Sequence, residues 1–193
     1  GRGETFKSGG RVVKNVTGYD LCKLLAGSYG TLAALSDVTV KVLPRPEKTR
    51  TVLLFGLDDE GAVKAMSLAL QSAHEVSGAA HLPAALSASS AVSYVSGAGT
   101  SVTAVRVEGP GPSVAHRAAA LRRELADLAE SEDLHSANSA ALWAELRDVA
   151  PLSADGARVV WKISVPPAAG SPSKTPPTTR KRKRTMPRRP PRR

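Results

Sequence analysis

Residues 10–46, GRVVKNVTGYDLCKLLAGSYGTLAALSDVTVKVLPRP, compress a helix, a glycine-flanked turn and a strand into one short stretch. Thr17 and Asp20 stand at the spacing of a capping box, with Asp20 replacing the usual Glu, so Thr17 is the expected N-cap. Leu21, Leu24 and Leu25 recur at i, i+3 and i+4 and form one apolar face. Gly27 is placed to end that helix in the left-handed conformation after about two turns. In the turn Gly27-Ser28-Tyr29-Gly30-Thr31, two residues without a β-carbon flank hydrogen-bonding side chains, and such a turn can bring backbone amides against a ligand. Val38, Val40 and Val42 alternate with Thr39 and Lys41, the period of a half-buried strand that Pro44 and Pro46 would end.

Charge divides the chain at its other end. The formal net charge is +10, and ten of the 27 Lys and Arg residues lie in residues 171–193, which contain no Asp or Glu. The remaining 17 basic residues match the 17 acidic ones, so the body is nearly neutral and the high isoelectric point belongs to the tail. With dense Pro and cations and no apolar period, residues 168–193 cannot bury enough surface to offset their ordering entropy and are expected to be disordered. The body has about 170 residues, enough for one core or two small ones.

Between strand and tail the pattern is that of an α/β plait. TVLLF at residues 51–55 is an apolar run of strand length, and Asp58 and Asp59 are candidate N-caps for a helix carrying Val63, Met66, Leu70 and Ala73. A strand is expected over residues 75–82, a loose loop or frayed helix over 87–99, and a β-branched strand over 100–108. Residues 113–130 form the clearest helix, with Val114, Ala118, Leu121, Leu125 and Leu128 on one side and Arg117, Arg122, Arg123 and Glu124 largely off it. A shorter helix follows over 139–149 and a last strand over 158–165. The order β-α-β-β-α-β resembles a ferredoxin-like plait.

The TGYD element at 17–20 and the GSYGTLA turn at 27–33 are similar to segments of the vanillyl-alcohol oxidase family, the PCMH-type FAD-linked oxidases, whose turn usually reads GSEGTLG. Tyr29 stands at the acidic position of that turn and Ala33 at its third glycine, changes that the branch of FAD-binding glycolate oxidase subunits tolerates. A weaker likeness continues through Ser77-Gly78-Ala79-Ala80-His81-Leu82-Pro83 and Val159-Val160-Trp161-Lys162-Ile163-Ser164-Val165-Pro166. The resemblance implies an α+β chain: the C-terminal part of a PCMH-type FAD-binding domain (1–47), a substrate or cap domain built as an incomplete ferredoxin-like plait (48–167), and the basic tail (168–193). It implies FAD as cofactor, lined by Tyr29, Gly30, Thr31, Leu32, Ala33, Ala34 and Leu35, with Asn15, Thr17, Gly18, Tyr19 and Asp20 as a second group. It further implies oxidation of a small 2-hydroxy acid, glycolate to glyoxylate, together with other glycolate oxidase subunits that include an iron-sulfur protein. Each residue also has a plainer reading: the glycines as ordinary turn residues and Tyr19 as a core aromatic.

Because the family places its first phosphate-binding glycine loop upstream of these motifs, the chain is expected to be a fragment of a flavoenzyme subunit. The abrupt switch to Arg and Pro after Val165-Pro166-Pro167 is read as a frameshift in a GC-rich gene. Two other readings stay open: a basic-tailed nucleic-acid-binding or adaptor protein, since clustered cations release counterions from nucleic acid, and a non-functional remnant. Cys22 alone makes no intrachain disulfide and is expected as an inert buried thiol. His74, His81, His116 and His135 lack zinc-site spacing, and His81 is a structural histidine or faces substrate. No apolar run reaches the roughly twenty residues of a membrane span. The expected location is the cytoplasm or the inner face of the cell membrane, and no catalytic residue is assigned.

Overall fold

A computed structural model describes residues 3–12, 14, 18–153 and 159–166. The chain divides into two compact units, Gly1–Arg45 and Pro46–Arg193. The expected basic tail lies outside the described residues, as do Asn15 and Thr17.

Among its described residues the first unit has one short helix, α1 (Leu21–Leu25), and none of them is buried. Asp20 is the N-cap, its carboxylate accepting the Lys23 amide at 3.2 Å. This corrects the expected cap at Thr17: a side chain that itself reaches the amide three residues on starts the helix later and leaves it one turn shorter. Residues 38–42 carry no ladder, contrary to the expected strand, and Val38, Val40 and Val42 are all exposed. Among the described residues of this unit the apolar alternation has no facing sheet, and without one a single strand gains no hydrogen bonds. Cys22 is exposed rather than buried, its thiol donating to the Ser8 carbonyl at 3.7 Å.

The second unit is a four-stranded antiparallel sheet with helices on both faces. Its elements are β1 (Lys48–Phe55), α2 (Asp59–Gln71), β2 (Gly78–Leu82), α3 (Ala84–Ser87), α4 (Ser93–Ser96), β3 (Val102–Gly109), α5 (Gly111–Glu124), β4 (Ser131–His135), α6 (Ser136–Asp148) and α7 (Ala150–Ser153). The strand order β2-β3-β1-β4, with every neighbouring pair antiparallel, is the double split β-α-β arrangement of a ferredoxin-like plait. The fourth strand is not the expected 158–165 but Ser131–His135, which pairs with β1 through Thr51↔Leu134 and Leu53↔Glu132. Only Leu134 of this edge strand is buried, so its sequence carries almost no apolar signal. Residues 159–166 have no helix or ladder and are exposed.

The pleat of β1 sends alternate residues into two cores. Val52 and Leu54 pack with Val105, Val107, Ala65, Ala69, Val114, Ala118, Leu121 and Leu125 beneath α2 and α5. Leu53 joins Val92, Val95, Val102, Ala104, Leu134 and Leu142 on the other face. In α2 the buried residues are Ala62, Ala65 and Ala69 rather than the expected Val63, Met66, Leu70 and Ala73. Small side chains let the helix approach the sheet closely, a gain in packing that periodicity alone does not weigh. Asp58 caps α2 as expected, accepting the Gly61 amide at 2.8 Å.

Candidate functional site

The sequence points to the turn that follows α1. Ala26 donates to the Cys22 carbonyl at 3.0 Å, Gly27 has φ +79°, and Ser28 donates to Leu25 at 3.1 Å, so Gly27 does close the helix in the left-handed region. Next, Thr31 N–H donates to the Ser28 carbonyl at 3.0 Å while Tyr29 and Gly30 have φ of +51° and +75°. Two successive positive φ values inside an i to i+3 hydrogen bond are those of a type I′ turn. Tyr29 holds this conformation without being glycine, a conformation of the kind that costs about 1–2 kcal/mol in an L-residue. The Thr31 hydroxyl donates to Ser28 O at 2.7 Å and locks the turn from its side chain.

The turn is open outward. A β-carbon built on Gly30 meets no atom within 4 Å, and the same holds for Gly18 and Gly27. Among the described residues the amides of Leu32, Ala33, Ala34 and Leu35 have no partner, so a row of donors follows the turn. Tyr29 and Tyr19 are 92% and 90% exposed, and Leu32 and Leu35 are exposed with them. Tyr19 is therefore not a core aromatic. Asp20 is committed locally: its hydrogen bond and 3.0 Å ion pair to Lys23 hold its carboxyl below the usual range. The structure thus joins Tyr29, Gly30 and Thr31 in one turn and sets Gly18, Tyr19 and Asp20 on the other side of α1. Asn15 and Thr17, expected in the second group, lie outside the described residues.

The second unit contains further polar side chains, most of which the sequence did not single out. Thr51 and Ser139 are fully buried with their hydroxyls 2.7 Å apart, and Trp143 Nε1 donates to Thr51 at 2.8 Å. Arg106 lies over the Trp143 ring, 4.6 Å from its centroid. Arg117, expected on the solvent side of its helix, is only 8% exposed. It donates to the carbonyls of His74 at 2.9 Å and Glu108 at 2.6 Å and to Ser113 Oγ at 3.2 Å. Glu145 accepts from Ser90 Oγ at 2.7 Å and the Ala91 amide at 2.6 Å, tying the α3–α4 loop to α6. His81 Nδ1 lies 2.9 Å from Thr103 Oγ1 and Nε2 lies 3.5 Å from Asp59. Burial pushes its pKa down, outweighing the attraction of Asp59 and Asp58. These groups brace the plait. A shallow cleft of about 410 Å³ near Phe55, Arg122 and Glu130 adds no convergent chemistry. Among the described residues no cluster of His, Cys, Asp and Glu could hold a metal, and no helix is long and apolar enough to cross a membrane.

No family model matches the chain. Its matches among known proteins include FAD-linked oxidoreductases and glycolate oxidase subunits, and over the stretches they share the chain is similar to these FAD-linked proteins. In particular it is similar to glycolate oxidase subunit GlcE of Escherichia coli K12, 54% identical over 46 residues that cover 24% of this chain and 13% of the relative. It is also similar to glycolate oxidase subunit GlcD of Bacillus subtilis 168, 37% identical over 65 residues, 34% of this chain and 14% of the relative. An uncharacterized FAD-linked oxidoreductase of Mycobacterium tuberculosis is 41% identical over 70 residues, 36% of this chain and 15% of that protein. The chain therefore matches only 13 to 15% of the length of these relatives.

Proposed function

We propose that residues 18–35 supply one wall of an FAD site in an oxidoreductase subunit that oxidises a small 2-hydroxy acid. The observation that carries this reading is the open type I′ turn at Ser28-Tyr29-Gly30-Thr31, with unpartnered amides after it, in a chain similar to FAD-linked oxidoreductases. The residues present fit such a group, because Gly30 offers no side chain where a flat or phosphorylated ligand would approach and Leu32, Ala33, Ala34 and Leu35 offer free donors. Bound there, the flavin would accept the hydride that leaves the α-carbon when a 2-hydroxy acid becomes a 2-oxo acid.

Within this reading the chain's own residues bind and orient. The backbone of Tyr29, Gly30 and Thr31 gives the flavin a rigid edge, and Leu32, Ala33, Ala34 and Leu35 continue it. Gly18 and Tyr19 form the second contact, with Asn15 and Thr17 assigned to the same group from the sequence. Asp20 acts through α1, which it caps. The unit Gly1–Arg45 would be the C-terminal part of a PCMH-type FAD-binding domain and the plait a substrate or cap domain. Glycolate is the proposed substrate, and the proposed setting is a cytoplasmic complex with further subunits, including an iron-sulfur protein that takes the electrons onward.

The test is a visible spectrum of the purified chain after incubation with excess FAD and gel filtration. A retained flavin band, lost in Gly30→Val, supports the reading. A protein that elutes colourless both alone and together with the remaining polypeptide of a relative such as GlcE refutes it.

A further inference from the structure

We infer that residues 159–165, which are exposed and carry no ladder in this structure, pair in solution with the open edge of β2 as a fifth strand, β5, extending the sheet to the order β5-β2-β3-β1-β4. Four observations within the second unit converge on that edge.

The first is the path of α6. It leaves β4 at Ser136, passes over β1 where Ser139 meets Thr51, and brings Trp143 under Arg106 of β3. A β-carbon on Gly78 of β2 would lie 3.1 Å from the Trp143 ring, and Glu145 holds Ser90 and Ala91 beyond it. The helix therefore carries the chain obliquely across the sheet, away from β4 and toward β2.

The second is handedness. Connections between parallel strands are right-handed in about 98% of cases. The crossovers through α2 and α5 ride on the Val52 and Leu54 face, whereas α6 rides on the Leu53 face. A right-handed crossover on that opposite face, starting from β4, must travel in the direction of β1, β3 and β2. The places beside β1 and β3 are filled, so the first vacancy is outside β2. A strand parallel to β4 is antiparallel to β2 there, which is the pairing used throughout this sheet.

The third is the edge itself. Phe55 N–H bonds the Glu130 carbonyl on the β4 side, and Gly56 N–H bonds Ser101 on the β3 side. Carrying that alternation across the registers turns the N–H and C=O groups of Ala79 and His81 outward from β2. β4 protects its edge with Glu132 and Asp133, while β2 reads GAAHL and has no Lys, Glu, Asp or Pro to discourage pairing.

The fourth is the segment. Trp161, Ile163 and Val165 alternate with Lys162 and Ser164, Trp161 and Ile163 are 81% and 80% exposed, and Pro166 would end the strand. Pairing gives this apolar row a sheet to continue and gives the two outward residues of β2 their ladder partners.

Amide hydrogen exchange on the full chain tests this, with variants Trp161→Pro and Lys162→Pro. Alternate residues of a strand face alternate sides, so one of the two prolines must remove a ladder donor. The expected result is that Ala79 and His81 amides exchange at least roughly tenfold slower than unpaired amides, and that one variant releases them while Val52 and Val105 at the sheet centre stay protected. Fast exchange at Ala79 and His81 in the unmodified chain, or no release by either variant, overturns the inference. Protection that rises with protein concentration alongside a dimer in gel filtration also overturns it, because a second copy would then supply the strand.

Discussion

Replacing Thr51 by Val probes the joint between the sheet and α6. The substitution keeps the branched shape but removes the oxygen that stands 2.8 Å from Trp143 Nε1 and 2.7 Å from Ser139 Oγ. Ser139 is fully buried, so its hydroxyl is left without water, whereas Trp143 is part-buried and can recover part of its loss. Each stranded buried group costs about 1–3 kcal/mol, and a methyl in place of the hydroxyl returns about 1 kcal/mol, giving a net loss of about 1–3 kcal/mol. In urea, with a slope of about 2 kcal/mol/M, a loss of about 2 kcal/mol lowers the midpoint by roughly 1 M. Unfolding followed by far-UV circular dichroism and Trp143 fluorescence measures it. Ser139→Ala removes one of the stranded groups, so the double variant should be less destabilised than the sum of the singles by about 1 kcal/mol. A Thr51→Val midpoint equal to that of the parent, or strict additivity in the double variant, would refute the claim that the hydroxyl triad holds α6.

Three other outcomes are expected. Arg117→Met strands the carbonyls of His74 and Glu108 and should cost about 2–3 kcal/mol, seen as a fall of roughly 10–20 °C in Tm; an unchanged Tm would mean that the buried guanidinium adds nothing to the fold. His81 has a folded pKa below its ordinary 6.5, so the folded state binds fewer protons than the unfolded one. Its contribution is intact above that value and is lost as pH falls below it, so stability should decline from pH 7 toward 5, and His81→Gln should flatten that slope in denaturant titrations. Gly30→Val places a β-branched residue at φ +75°, a strain of about 1–2 kcal/mol, and should abolish FAD retention while leaving the melting of the plait unchanged.

Much of the plait is legible in the sequence because its central elements bury enough of themselves to impose a period. Val114, Ala118, Leu121 and Leu125 repeat at helical spacing and all reach the core. The continuous apolar run at 51–55 reads as a strand, and the structure places it in β1 and covers it on both faces. What failed were elements whose identity rests on a neighbour. β4, reading SEDLH, is a strand because β1 offers it a ladder, and only Leu134 turns inward. Arg117 looks like a solvent-side residue until the ends of β3 and the α2–β2 loop bring two carbonyls to it.

The candidate site divides in the same way. The placement of Gly27 in left-handed backbone and the glycine-flanked turn after it were legible, since glycine is the residue that takes that region without steric cost, and the turn needs only local hydrogen bonds. The exposure of Tyr19 and the missing ladder at Val38, Val40 and Val42 were not, because burial and pairing depend on surfaces distant in the chain. Sequence by itself determined local geometry: where α1 closes, where the turn follows it, that residues 51–55 are a strand, and which face of α5 is apolar. Tertiary structure decided strand order, the edge position of β4 and the burial of Arg117, Thr51 and Ser139, because a hydrogen bond or a packed face exists only when a second element arrives to complete it.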